Sequence, residues 1–134
     1  MAVVRDEQVS VRSEDEVVRV RQFAREWAIS LGFGLVDQTK IVTAASELAR
    51  NTLQYGGGGT LRIEEIIEGP RRGLRLVFED DGPGIANLEL AMKDGYTTGN
   101  GLCLGLSGAK RLSNEFDIHS RPGEGTRVTI VRWR

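Results

Sequence analysis

Near residue 13 the apolar positions of the chain change period. Val9 and Val11 alternate with polar residues, so Glu7–Ser13 reads as a short strand. From Val17 the apolar residues Val20, Phe23, Ala24, Trp27 and Leu31 recur at helical spacing, and Trp27 belongs to that buried stripe. Ser13 followed by Glu16 is a capping box that opens this helix, and Gly32 closes it. Asp37 is placed to cap a second helix running to about Tyr55, with Ile41, Ala44, Ala45, Leu48, Ala49 and Leu53 as its inner stripe. Gly56–Gly59 ends it. Leu61, Ile63, Ile66 and Ile67 mark a strand, and residues 69–73 a hairpin connection with Arg71 and Arg72 at a solvated tip. Leu74–Asp80 is the most apolar strand and is expected at the centre of a sheet.

Residues 81–102 form a long, glycine-punctuated stretch with one short helical piece at Leu88–Lys93. Such a length without regular structure inside a compact domain marks a binding loop. A third helix follows at Leu104–Asn114. Phe116–Ser120 and Thr126–Arg132 then pair across the turn at residues 121–125. Helices grouped before and between runs of strands predict an α+β two-layer sandwich, with helices on one face of a mixed, mainly antiparallel sheet.

Composition narrows the function. The 134 residues suit one domain spanning 1–134. Eighteen basic residues nearly cancel nineteen acidic ones, so no strong field exists to hold nucleic acid or an anionic membrane. No apolar run approaches the roughly 20 residues of a membrane span, and the N-terminus is unlike a signal peptide. A single cysteine, Cys103, forms no internal disulfide and fits a reducing compartment, so a cytoplasmic location is expected. Seventeen glycines against three prolines point to places where backbone must approach something closely.

Four short patterns carry candidate chemistry. Glu47 and Asn51 lie four apart on the second helix and project from one side. A carboxylate there could deprotonate a hydroxyl and an amide oxygen could ligate a hard cation, or the pair could be a partly solvated helix face. Asp80-Asp81-Gly82-Pro83-Gly84 leaves the end of the central strand. Asp80 could accept from an exocyclic amine such as that of adenine, or simply cap a tight turn. Gly99–Leu106 opens a helix with free amides that suit phosphate, or serves as a hinge; it has no Walker-type Gly-Lys-Ser/Thr. Gly123-Glu-Gly125-Thr126 alone would be a hairpin turn. His119, the one histidine, is expected in a surface or packing role, and Cys103 offers neither a metal site nor a dyad.

Taken in order, a Glu-x-x-x-Asn helix, an Asp-x-Gly-x-Gly strand end, a Gly-rich lid and a Gly-x-Gly-Thr hairpin resemble the GHKL ATP-binding fold of gyrase, Hsp90, MutL and histidine-kinase catalytic domains. The resemblance implies ATP and magnesium as cofactors. It makes Glu47 the general base, Asn51 the magnesium ligand, and Asp80 the partner of the adenine amino group. Gly82, Gly84, Gly101, Gly105, Leu106 and Thr126 complete the ATP site, the lid glycines over the phosphates and Thr126 on the adenine side. Residues 31–38, Ser46–Asn51, Glu79–Ile85 and Gly108–Leu112 further resemble RsbT-type switch kinases of bacterial stressosomes, with Cys103 where the lid pattern carries a second glycine.

That closer resemblance implies a protein serine/threonine kinase acting on STAS-domain partners, an antagonist and a scaffold. Once released, the kinase would bind and activate a downstream phosphatase. A histidine-kinase catalytic domain would need a helical dimerisation segment, and a gyrase-type clamp a transducer domain; neither is expected here. A nucleotide-dependent binding module, such as an anti-sigma factor, stays as the alternative, because it would share all four boxes. The segments around Gly32–Gln38 and Ala49–Asn51 favour the kinase.

Overall fold

The computed structural model describes residues 1–85, 92 and 106–134. Their elements run β1 (Ala2–Val11), α1 (Glu14–Ser30), α2 (Leu35–Gln54), β2 (Gly59–Glu68), β3 (Arg71–Asp80), α3 (Leu106–Arg111), β4 (Glu115–Ser120) and β5 (Thr126–Trp133). The strands form a five-stranded sheet in the order β1-β2-β3-β5-β4. A mixed sheet was expected, yet every pairing among the described residues is antiparallel. Two helices, not one, return the chain between β1 and β2, so β2 runs against β1. The β4–β5 hairpin then folds back to place β5 beside β3. The expected central strand is indeed the middle one.

The helical boundaries have local causes. Ser13 Oγ accepts from Glu16 N–H at 3.2 Å, while the Glu16 carboxylate reaches back to Arg12 N–H at 2.7 Å and Ser10 Oγ at 3.0 Å. The expected capping box thus forms, its return bond landing one residue earlier than the usual pattern. At the other end Gly32, at φ +83°, gives its N–H to Ile29 and lets Phe33 N–H reach Ala28, closing a Schellman motif. The second helix corrects an expectation. Gly34, not Asp37, is its N-cap and supplies no side-chain bond. Asp37 lies in the first turn and pairs with Arg132 of β5 at 2.8 Å, which ties the helix to the sheet.

Strand ends differ from the sequence pattern where exposure erases it. β1 begins at Ala2, because pairing with β2 and not burial defines its first half. Arg71 and Arg72 lie within β3: Arg71 stacks over Trp133 at 4.1 Å and Arg72 pairs with Glu65 at 3.4 Å. The third helix ends at Arg111, before the expected Asn114. The expected helical piece at Leu88–Lys93 lies, apart from Met92, outside the described residues.

Both long helices lie on one face of the sheet. Val20, Trp27, Ile41, Leu48, Leu61, Leu76 and Phe78 are among the side chains of the core between the layers. Trp27 is buried as expected, with Arg5 stacked on its ring at 4.0 Å. On the other face a buried Glu64 meets Arg75 at 2.7 Å. His119 is exposed and sits 2.9 Å from Asp117, in keeping with a surface role. No helix among the described residues is long and apolar enough to cross a membrane.

Candidate nucleotide site

The end of β3, the C-terminal half of α2 and the β4–β5 turn meet at one rim of the sheet. A narrow cavity of about 20 Å³ there is lined by Asn51, Asp80, Leu106 and Thr126, with Leu48, Phe78, Ile85 and Val128 as its apolar walls. Four residues expected from the sequence are therefore brought together. Thr52 and Tyr55 of the α2 end also line it, and Tyr55 donates its hydroxyl to Gly84 O at 3.2 Å.

Asp80 is the polar centre of this cavity. Its Oδ1 accepts from Gly82 N–H at 2.9 Å, and Thr126 N–H supports the same carboxylate. Burial pushes its carboxyl above the ordinary range; those two amide bonds pull it down, and the Asp81 charge adds a smaller upward push. Three glycines make room for it. A Cβ on Gly56 would run into the Asp80 carboxylate, one on Gly82 would lie 2.7 Å from Gly56 Cα, and one on Gly125 would strike Asp80 O. Gly84, at φ +76°, has its missing side chain filled by Arg121 O, while Gly123 N–H donates to Pro83 O at 2.7 Å. The Asp80–Gly84 turn and the Gly123–Thr126 hairpin are thus locked together. Gly82 packs beside the carboxylate, while Gly84 packs against the backbone of Arg121.

Glu47 stands apart from the cavity lining. It is one helical turn before Asn51, a third exposed, with Arg50 Nη1 at 3.5 Å from its carboxylate. Gly101, Gly105 and Cys103 lie outside the described residues. Two contributors escaped the sequence patterns. Ser120 joins the two turns by hydrogen bonds to Ile85, Gly125 and Thr126. The other is Arg50, whose i,i+3 spacing from Glu47 marks it as that carboxylate's neighbour.

Apolar walls around a half-buried carboxylate and a threonine hydroxyl suit the edge of a flat heteroaromatic base whose exocyclic amine gives its N–H to the acceptor. Helices on one face of an antiparallel sheet, with such a slot at the rim, define an ATP-binding α+β domain. The chain belongs to the histidine kinase-, DNA gyrase B- and HSP90-like ATPase family, whose model matches residues 36–134.

Within that family it is 45% identical, over 125 residues, to the serine/threonine-protein kinase RsbT of Bacillus subtilis, covering 93% of this chain and 94% of that one. An anti-sigma F factor of Clostridium kluyveri is 32% identical over 104 residues, 73% of this chain and 72% of the relative. Among solved structures, the RsbU and RsbW domains of a Mycobacterium tuberculosis protein superpose with a TM-score of 0.65 at 21% identity, over 98% of this chain. This chain spans about a third of that one, 33%. A chain of the SiaB–SiaC complex from Pseudomonas aeruginosa superposes with a TM-score of 0.51 at 9% identity, covering 98% of this chain and 91% of that one. The fold expected from the four motifs is borne out. The protein is an ATP-dependent serine/threonine kinase of the partner-switching type.

Proposed function

We propose that this kinase transfers the γ-phosphoryl group of ATP to a serine or threonine of STAS-domain proteins, an antagonist and the scaffold of a stressosome, in the cytoplasm. Once released from them it binds and activates a downstream phosphatase. The observation that carries the nucleotide part is Asp80, a half-buried carboxylate held by two amide donors at the base of an apolar slot. The edge of a purine would lie against these apolar walls with its amine on Asp80.

Asn51, on the same rim, offers an amide oxygen to Mg²⁺. Among the described residues no cluster of three carboxylate, histidine or cysteine side chains stands ready for a metal. The ion would therefore be held mainly by phosphate oxygens and water, with Asn51 completing the shell. Bound there, it would neutralise charge on the phosphates. Glu47, a turn away and open to solvent on one side, is placed to take the proton of an incoming hydroxyl. Its exposure suits an acceptor delivered by a docking protein.

The test is transfer of labelled γ-phosphate to a STAS-domain protein of the same genome, with Glu47→Ala alongside. Loss of a positioned base lowers the rate by about 10²–10⁴ while nucleotide binding persists. Wild-type transfer in Glu47→Ala removes the base assignment. Nucleotide binding with no transfer to any STAS protein would favour the anti-sigma reading, which the 32% identity to an anti-sigma F factor keeps in view.

A further inference from the structure

Ser120 sits at the end of β4, directly opposite Thr126 on β5, and its side chain is half-buried. A serine hydroxyl has one proton to give and two lone pairs to receive. Here it faces three partners: Ile85 N–H at 2.8 Å, Gly125 O at 3.0 Å and Thr126 Oγ1 at 2.8 Å. The amide of Ile85 can only donate and the carbonyl of Gly125 can only accept. Ser120 must then give its proton to Gly125, and its second lone pair is left for the Thr126 proton. Only this assignment makes all three contacts hydrogen bonds at once.

The consequence falls on the cavity. With its proton committed to Ser120, Thr126 turns only lone pairs toward a ligand. Asp80, in its ionised form, likewise only accepts. We propose that Ser120 fixes the Thr126 proton away from the cavity and so makes the Asp80–Thr126 side of it accept only, which selects a 6-amino purine over a 6-oxo purine. The inference rests on the cavity being the base site. Ser120 is a positioning residue: it acts through Thr126 and touches no substrate itself.

A 6-amino group brings two N–H donors to such a wall, whereas a 6-oxo group sets an acceptor against acceptors. Without Ser120, the Thr126 hydroxyl is free to rotate and donate to the oxo group. The loss of discrimination should equal the worth of about one hydrogen bond, roughly tenfold.

The experiment measures equilibrium binding of ATP and of ITP, with Mg²⁺, to the full chain. The variants are Ser120→Ala, Ser120→Thr, Thr126→Val and the Ser120→Ala/Thr126→Val double. The ratio of ITP to ATP dissociation constants should fall about tenfold in Ser120→Ala. It should hold in Ser120→Thr, which keeps the hydroxyl. Thr126→Val should lower it similarly, and the double variant no further, because both act through one oriented proton. Should Ser120→Ala not fold, Ser120→Cys keeps the shape with a weaker donor and must move the ratio in the same direction. An equal loss for both nucleotides in the Ser120 variants, with the ratio unchanged, overturns the inference and leaves Ser120 a purely structural tie. Additive effects in the double variant overturn it as well. Failure of the unaltered protein to bind ATP is a different result: it brings down the base site itself, and this inference with it.

Discussion

Asp80 works against the stability of the fold that presents it. Burial disfavours its charge, so the folded protein holds the Asp80 proton to a higher pH than the unfolded chain does. Protonation therefore favours folding. Stability falls as pH rises from the ordinary carboxylate range through the folded value, and the ionised group is a standing cost above it. Asp80→Asn removes that cost and keeps an oxygen for Gly82 N–H. Calorimetry at neutral pH should show Asp80→Asn melting no lower than the wild type, with the advantage shrinking as pH falls below the carboxylate range. Nucleotide affinity should drop about 10–100-fold as a charge-assisted bond is lost. A variant that melts lower at neutral pH would mean that the carboxylate's hydrogen bonds outweigh its burial.

At the scale of elements, α2 does most of the organising. Its first turn is pinned to β5 by Asp37–Arg132, its middle carries Glu47 and Asn51, and its end delivers Gly56 against Asp80. Arg132 is mostly buried; it also donates to Leu112 O at 3.1 Å, and its Nε has no partner among the described residues. Asp37→Ala leaves that guanidinium without its counter-charge and should cost about 1–3 kcal/mol in denaturant unfolding. Adding Arg132→Met should return part of the loss, since replacing both members of a pair by apolar groups is often close to neutral. The same residues show what a sequence conveys. Ser13, Glu16 and Gly32 declare helix ends because their partners lie within five residues, and those ends formed as expected. Asp37 offers an equally good local cap, yet a cation 95 positions away claims it. Nothing near Asp37 signals the competition. The first half of β1 was hidden for a related reason: exposed on both faces, it shows no alternation, and only the neighbouring strand makes it one.

Across the whole molecule, the cavity exists only when α2, β3, α3 and β5 are all in place, so a nucleotide held there binds the folded state alone. ATP at a hundred times its dissociation constant should stabilise the protein by about 2.7 kcal/mol, which raises the melting temperature by roughly 10 °C in a domain of this size. Asp80→Asn, binding about 10–100-fold more weakly, should cut that shift by about half or more at the same ATP concentration. A wild-type protein whose melting does not respond to ATP would contradict nucleotide binding at the rim. The candidate residues that line the cavity, Asn51, Asp80, Leu106 and Thr126, were legible as parts of motifs, because the Glu-x-x-x-Asn interval and the glycine spacings are local. Their convergence was not: Ser120, which fastens two of the motifs together, belongs to none of them.

Among the described residues, the order of the strands leaves β1 and β4 with one unpaired side each. Both rims are insulated. β1 carries Arg5, Asp6 and Glu7 beside a register shift between Val3 and Arg5. β4 is six residues long and turns Glu115, Asp117 and His119 outward. Charge, irregularity and shortness are what discourage a foreign strand from zipping onto an edge. Traffic with other proteins is thereby steered away from main-chain annealing and toward side-chain surfaces of helices and loops, where a contact can be made, chemically altered and let go.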